Sequence, residues 1–301
     1  MKKEIGIIGL GKMGKGIALQ LLDKGWEVVG YNRSPQKVNE LTTYGLKAAY
    51  SIQNLVDQLK SPRVIWLMIT SGEAVDNQIV ELQKFLQKGD TLIDAGNSFY
   101  KDSVRRYKML KGNGINFVDV GISGGPYGAR NGACVMVGGD IDSYKNIEGL
   151  YKDISVKNGY GYFEGVGAGH FVKMVHNGIE YGMMQSIAEG FNIIKNNSKY
   201  KLNLQEVSML YNKGSVIESK LIDLLNKGFK KYGEDLHDIS GKVEHSGEGE
   251  WTIQTAKENN LPVTVIEKSL EFRVESSNSP SYIGKILTMM RNMFGGHNIN
   301  G

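Results

Sequence analysis

Apolar residues in the first half of the chain come in short runs, separated by stretches with apolar positions every three or four residues. The runs EIGIIGLG from Glu4, WEVVGYNR from Trp26, RVIWLMI from Arg63, DTLIDAGN from Asp90, NFVDVGISGG from Asn116 and ACVMVGG from Ala133 predict strands. Several lack apolar/polar alternation, which suits strands buried on both faces. The spacing between them predicts helices over 12–24, 34–45, 72–86 and 100–112. Pro35 fits the first turn of the second helix, with Ser34 as its cap. Strands separated by helices imply right-handed crossovers and a doubly wound α/β sheet.

After about residue 165 the strand pattern stops. Helical spacing predicts one long helix over 167–195, then helices over 203–213, 215–231, 249–260, 263–277 and 280–294. The expected architecture is an α/β domain over 1–165 followed by an all-α domain over 166–301. The long helix starts at the boundary. The Gly/Asn-rich tail GGHNING would be mobile unless it docks.

Composition narrows the class. With 301 residues, 41% hydrophobic and 23% charged, the chain is long enough for two ordinary folded domains. A net charge of +4 is too small and diffuse to mark a nucleic-acid binder. No stretch approaches the ~18 consecutive apolar residues of a membrane span. The start MKKEIGIIGLGKMG does not read as a signal peptide. The single cysteine, Cys134, excludes an internal disulfide framework and fits a reducing cytoplasm. Its apolar run, GACVMVGG, predicts a core position.

Two stretches carry candidate chemistry. Gly9-Leu10-Gly11-Lys12-Met13-Gly14 fits G-x-G-x-x-G between a strand and a helix, the dinucleotide-binding context of a Rossmann-type domain. Gly9 would permit the tight turn, Gly11 the approach of a pyrophosphate, and Gly14 close packing of helix on strand. The second strand ends in Tyr31-Asn32-Arg33-Ser34, where an NAD enzyme commonly has an acid for the ribose. Arg33 can pair with a 2′-phosphate, and Asn32 and Ser34 can donate to it, so NADP is favoured while NAD use stays possible. The bland alternative for Arg33 is a solvated loop cation.

The second stretch is KMVHNGIEYGMMQ, from Lys173. At ~100° per residue, Lys173, Asn177 and Glu180 fall within about 60° of one another, flanked by His176 and Tyr181. A solvated polar face would be the default. The apolar neighbours Met174, Val175, Ile179, Met183 and Met184 argue instead for polar groups facing a ligand. A lysine near a nicotinamide can act as base toward an alcohol, and Glu180 is a second titratable group for the opposite task. No convincing metal-ligand cluster is present.

GLGKMG, YNRS, DAGNS, ISGG, GAGHFVKMVHNGIEYGMMQ, GEGEWT and RNMFGGH together resemble the 6-phosphogluconate dehydrogenase family, in its short-chain bacterial form, over nearly the whole chain. The resemblance implies oxidative decarboxylation of 6-phosphogluconate to ribulose 5-phosphate and carbon dioxide, in the pentose phosphate pathway. It implies Lys173 as base and Glu180 as acid. Asn97, Ser123, Gly124, Gly125, His176 and Asn177 become substrate or cofactor contacts. Tyr181, Arg273, Arg291 and His297 become phosphate contacts, the last two in a tail that reaches a neighbouring subunit's site. A homodimer or homotetramer would follow. Two departures weaken the expected grip: Glu250 stands where the long form commonly has a phosphate-binding lysine, and Pro126-Tyr127 where it commonly has two glutamates. The competing readings are a related dehydrogenase of another 3-hydroxy acid and a non-catalytic NADP-binding sensor.

Overall fold

The structure, a computed structural model, describes residues 3–300. The chain divides between Lys173 and Met174 into two compact units. The first opens with β1 (Glu4–Ile8), α1 (Lys12–Asp23), β2 (Glu27–Tyr31), α2 (Pro35–Thr42), β3 (Lys47–Ala49) and α3 (Ile52–Asp57). It continues with β4 (Val64–Leu67), α4 (Glu73–Leu82), β5 (Thr91–Asp94), α5 (Tyr100–Lys111) and β6 (Asn116–Ser123). It closes with α6 (Gly125–Asn131), β7 (Ala133–Gly139), α7 (Ile141–Ile154) and β8 (Ser155–Glu164).

These strands form one sheet in the order β3-β2-β1-β4-β5-β6-β7-β8. The strands from β3 to β6 pair in parallel, as helical crossovers require. β7 departs from that pattern and runs antiparallel to β6, because the seven-residue α6 is too short for a parallel crossover. β8 then lies parallel to β7. Alternate residues feed two apolar layers. Ile5, Ile7, Trp66, Val118 and Val120 face α1 and α7, while Ile8, Ile65, Leu67 and Phe117 face α3 and α4. Each such fully buried aliphatic side chain contributes about 1.5–3 kcal/mol.

Cys134 does not fulfil its expected core position. It is exposed, while Ala133 and Val135 are buried. Strand alternation turns it to the opposite face, at the point where the register with β8 shifts between Ala133 and Val135.

Helix α8 (Ala168–Lys195) crosses the division between the units. The second unit adds α9 (Leu204–Tyr211), α10 (Lys220–Tyr232), α11 (Glu248–Glu258), α12 (Thr264–Glu275) and α13 (Tyr282–Gly295), with no strand among the described residues. α10 starts at Lys220 rather than 215, because extended Ser219 caps it by accepting from the Ile222 N–H at 3.2 Å. Met184, Phe191, Leu225, Phe229, Leu287 and Met290 form its core. No helix among the described residues is long and apolar enough to cross a membrane.

Candidate active site

The loop after β1 is braced from β2. The Gly9 N–H donates to the Tyr31 carbonyl at 2.9 Å, and the Leu10 N–H to Asn32 Oδ1 at 3.0 Å. Gly9 has φ 98°, and a Cβ there would stand 2.3 Å from the Met68 carbonyl oxygen. A Cβ on Gly14 would stand 1.9 Å from the Gly9 carbonyl oxygen, so the helix can sit this close only on glycine. Gly11 differs, since a Cβ there would meet nothing within 4 Å. The fold itself does not require glycine at 11. What glycine preserves is open space at the start of α1, whose first turn carries no acid and whose N-cap has no side-chain partner. That arrangement fits a pyrophosphate. Lys12 is exposed and Met13 packs against the core.

At the end of β2, Asn32 is committed to the loop, and its Nδ2 donates to the Ser34 carbonyl at 3.2 Å. It is therefore a brace rather than the free donor expected. Arg33 and Ser34 are exposed, and Arg33 makes no ion pair among the described residues.

The loop after β5 carries exposed Asn97 and is anchored from below. Fully buried Arg106 of α5 donates to Asp94 Oδ2 at 3.0 Å, Ser98 Oγ at 3.1 Å, Asp76 Oδ1 at 2.8 Å and the Gly72 carbonyl at 3.0 Å. Asp94 in turn accepts from the Gly96 N–H at 3.2 Å. One guanidinium thus ties the loops after β4 and β5 together. Burial alone would raise the Asp76 carboxyl, but hydrogen bonds from Arg105 and Arg106 hold it below its ordinary value.

β6 ends at Ser123, and the chain turns through Gly124 at φ 122° and Gly125 at φ 61°. A side chain at either would be strained. On the same strand, buried Asp119 accepts from the Gly167 and His170 N–H groups at 2.6 and 2.8 Å. His170 Nδ1 lies 2.7 Å from Ser103 Oγ. This network holds the first turn of α8, three residues before Lys173.

Further along α8, His176 Nδ1 lies 3.0 Å from Asn177 Oδ1 and 4.0 Å from Glu180 Oε2. All three are half-buried. The apolar neighbours are not all enclosed, because Ile179 and Met183 are exposed. Tyr181 is buried, and the Arg273 guanidinium stacks on its ring at 3.4 Å from the centroid. The Tyr181 hydroxyl approaches the Ser246 backbone without a well-formed hydrogen bond. Burial pushes that hydroxyl up from its ordinary value despite nearby Arg273.

Arg273 and Arg291 are only 3% and 5% exposed, so both charges are largely removed from water. Burial lowers both from their ordinary values, and Arg291 disfavours Arg273 further. Arg273 has a weak 3.8 Å contact to Met184 Sδ, and neither arginine is in an ion pair among the described residues. Glu248 and Glu180 lie near enough to favour the charged forms. Two guanidiniums so placed can bind a phosphate dianion. Glu250 is aimed elsewhere, with its carboxylate 3.4 Å from His245 Nδ1.

Within this chain the tail docks on its own helical unit. Arg291 is buried beside Tyr181 and Arg273 of its own unit. The Asn292 amide donates to the His297 carbonyl at 2.7 Å, and the Ser240 N–H to the Ile299 carbonyl at 2.8 Å. Apolar Ile299 packs on the helical core, which holds the tail in place. Asp119, Arg106, His170 and Glu248 were not singled out from the sequence. Of these, Glu248 lies inside GEGEWT and His170 inside GAGHFVKMVHNGIEYGMMQ. Among the described residues, no group of three or more His, Cys, Asp or Glu could hold a metal ion.

Residues 4–161 match the family described as the NAD binding domain of 6-phosphogluconate dehydrogenase, and residues 169–290 match its C-terminal domain. The chain is 44% identical over 294 residues to YqeC of Bacillus subtilis, covering 98% of each. It is 36% identical over 297 residues to the NAD(+)-dependent, decarboxylating 6-phosphogluconate dehydrogenase of Haloferax volcanii, again covering 98% of each. The solved 6-phosphogluconate dehydrogenase of Plasmodium falciparum superposes with a TM-score of 0.82 at 30% identity, over 97% of this chain and 70% of that one. That enzyme has been seen with its cofactor NADP+ and with its substrate 6-phosphogluconate. The first unit is accordingly a nicotinamide-dinucleotide-binding domain, and the chain belongs to the 6-phosphogluconate dehydrogenase family.

Proposed function

We propose that this protein oxidises 6-phospho-D-gluconate at carbon 3 with NADP and releases carbon 1 as carbon dioxide, giving D-ribulose 5-phosphate for the pentose phosphate pathway. The observation that carries this reading is the pair of buried arginines, Arg273 and Arg291, flanking Tyr181 in the unit that also holds Glu180. Their chemistry selects a phosphorylated substrate over a plain 3-hydroxy acid.

In this reading Arg273, Arg291 and Tyr181 hold the phosphate, joined by His297. Asn97, Ser123, Gly124, Gly125, His176 and Asn177 orient the sugar acid and the cofactor's reactive end. The Lys173 amine takes the proton of the 3-hydroxyl. A bound nicotinamide would supply the acceptor for the hydride of carbon 3, whose oxidation gives a β-keto acid. The bond from carbon 1 to carbon 2 then breaks, and its electron pair moves onto the ketone oxygen. The ammonium of Lys173 stabilises that oxygen and returns its proton there. Glu180 delivers a proton to the former carbon 2, now carbon 1 of the enediol, while the Lys173 amine takes back the enol proton, giving the product ketone.

Exposed Arg33 and the lack of an acid at the end of β2 support NADP. The Haloferax relative's NAD+ dependence keeps NAD as a possible second cofactor. A homo-oligomer would cover the apolar residues that α8 exposes.

Steady-state assays with 6-phosphogluconate and NADP or NAD test the reading. Turnover should favour NADP, and Arg33→Ala should cost NADP efficiency far more than NAD efficiency. Lys173→Met should abolish turnover while leaving NADP binding intact. An unsubstituted protein that binds NADP yet never turns over 6-phosphogluconate would sink the proposal.

A further inference from the structure

We infer that Asp119 and Gly121 of β6 act as a gauge that fixes the height and rotation of Lys173, which makes Asp119 a positioning residue for the amine. This rests on the role proposed above for Lys173.

The argument starts from strand geometry. Residues 119 and 121 point to the same face of β6. Asp119 meets α8 at its first turn, where its two carboxylate oxygens accept from the main chain of Gly167 and His170 at 2.6 and 2.8 Å. Gly121 meets α8 near Lys173 itself, and a Cβ on Gly121 would stand 2.3 Å from the Lys173 Cβ. The stem of the lysine therefore rests on bare backbone.

Other contacts remove the remaining freedom. A Cβ on Gly169 would stand 2.6 Å from the Asp119 carbonyl oxygen, the Gly138 nitrogen and the Met136 carbonyl oxygen. A Cβ on Gly138 would stand 2.8 Å from both Asp119 carboxylate oxygens. The helix start is thus pressed onto β6 and β7 at Gly121, Gly138 and Gly169. On its other side, His170 Nδ1 reaches Ser103 Oγ of α5 at 2.7 Å. Main-chain anchors, the lysine stem and a side-chain stop oppose both sliding and rotation of the helix start. A carboxylate this deeply buried is costly without such donors. Its hydrogen bonds to α8 are therefore strongly retained, although burial raises the Asp119 carboxyl above its ordinary value.

Asp119→Asn and Gly121→Ala test the gauge. The control is Asp90→Asn, which alters another fully buried carboxylate of the same unit, bonded to Arg63 at 3.1 Å and not to α8. For each variant the measurements are kcat, the KM for 6-phosphogluconate, the NADP dissociation constant, the melting temperature and the rate of Lys173 acetylation by mass spectrometry. A displacement of about 1 Å at a reacting group lowers rate by roughly 10²-fold. We expect kcat to fall on that scale in Gly121→Ala and by about tenfold or more in Asp119→Asn, with the NADP dissociation constant unchanged. Lys173 acetylation should shift about threefold or more, while other lysines keep their rates. If Asp119→Asn does not fold, Gly121→Ala decides alone. A kcat in Gly121→Ala within about twofold of the control would overturn the inference. Should the unsubstituted protein lack turnover, the functional proposal fails separately and acetylation decides: a selective change at Lys173 sustains the gauge, and an unchanged rate overturns it.

Discussion

Arg273 keeps its guanidinium where water scarcely reaches, stacked on Tyr181 and repelled by Arg291. Such a charge is expensive to bury unless something anionic completes it. Arg273→Met removes the charge and preserves much of the bulk. If the cluster holds phosphate, the KM for 6-phosphogluconate should rise by roughly 10- to 100-fold, the size of a lost charge-assisted hydrogen bond. Turnover of unphosphorylated gluconate should barely move. Steady-state kinetics on both substrates check this, and equal losses on both would assign Arg273 a purely structural role. At this scale the sequence was informative where motifs were dense. The resemblance pointed to Tyr181, inside GAGHFVKMVHNGIEYGMMQ, and to Arg273. Their stacking could not be read there, because residues 92 positions apart meet only through packing of α8 and α12. Cys134 misled for the same kind of reason, since an apolar run does not say which of its residues faces a register shift.

At the scale of elements, α5 works as an anchor for the loops above it. Arg106 reaches Asp94, Ser98, Asp76 and Gly72, and so sets the loop that carries Asn97. Arg106→Met would leave the fully buried Asp94 without its cation. Breaking a buried pair from one side costs about 3–5 kcal/mol. Chemical denaturation should show a loss of that order, and Arg106→Met/Asp94→Leu should recover part of it. A single variant as stable as the parent would mean that the pair contributes nothing. Most helices and the six central strands were legible from periodicity. α7 and β8 were not. β8 is a half-exposed edge strand with two glycines, so it shows no apolar alternation. β3 and α3 are too short, at three and six residues, to generate a period.

For the whole molecule, the exposed apolar residues call for a partner. Ile179, Met183 and Ile193 share one side of α8, while Met209 and Leu210 end α9 and Val216 and Ile217 follow it. Exposed apolar side chains along these elements fit a face that is covered in an assembly. A second copy of the chain is the expected cover. Sedimentation should return at least a dimer, and the pair of substitutions Ile193→Asp and Leu210→Asp should shift the mass toward the monomer. A monomeric parent at micromolar concentration would refute this. The resemblance suggested assembly through the tail. The exposed apolar residues of α8 and α9 add a second candidate face beside the tail.

The gauge beneath Lys173 also bears on where this chain can be divided. A nucleotide-binding fragment ending near residue 165 would keep all eight strands, yet it would lack the Gly167 and His170 amides. Asp119 would then be a carboxylate inside the sheet with both of those donors removed. We expect the smallest stable dinucleotide-binding piece to include the first turns of α8, which supply the Asp119 donors. If Lys173 acts as proposed, the cofactor-binding fold and the catalytic lysine share one compact unit.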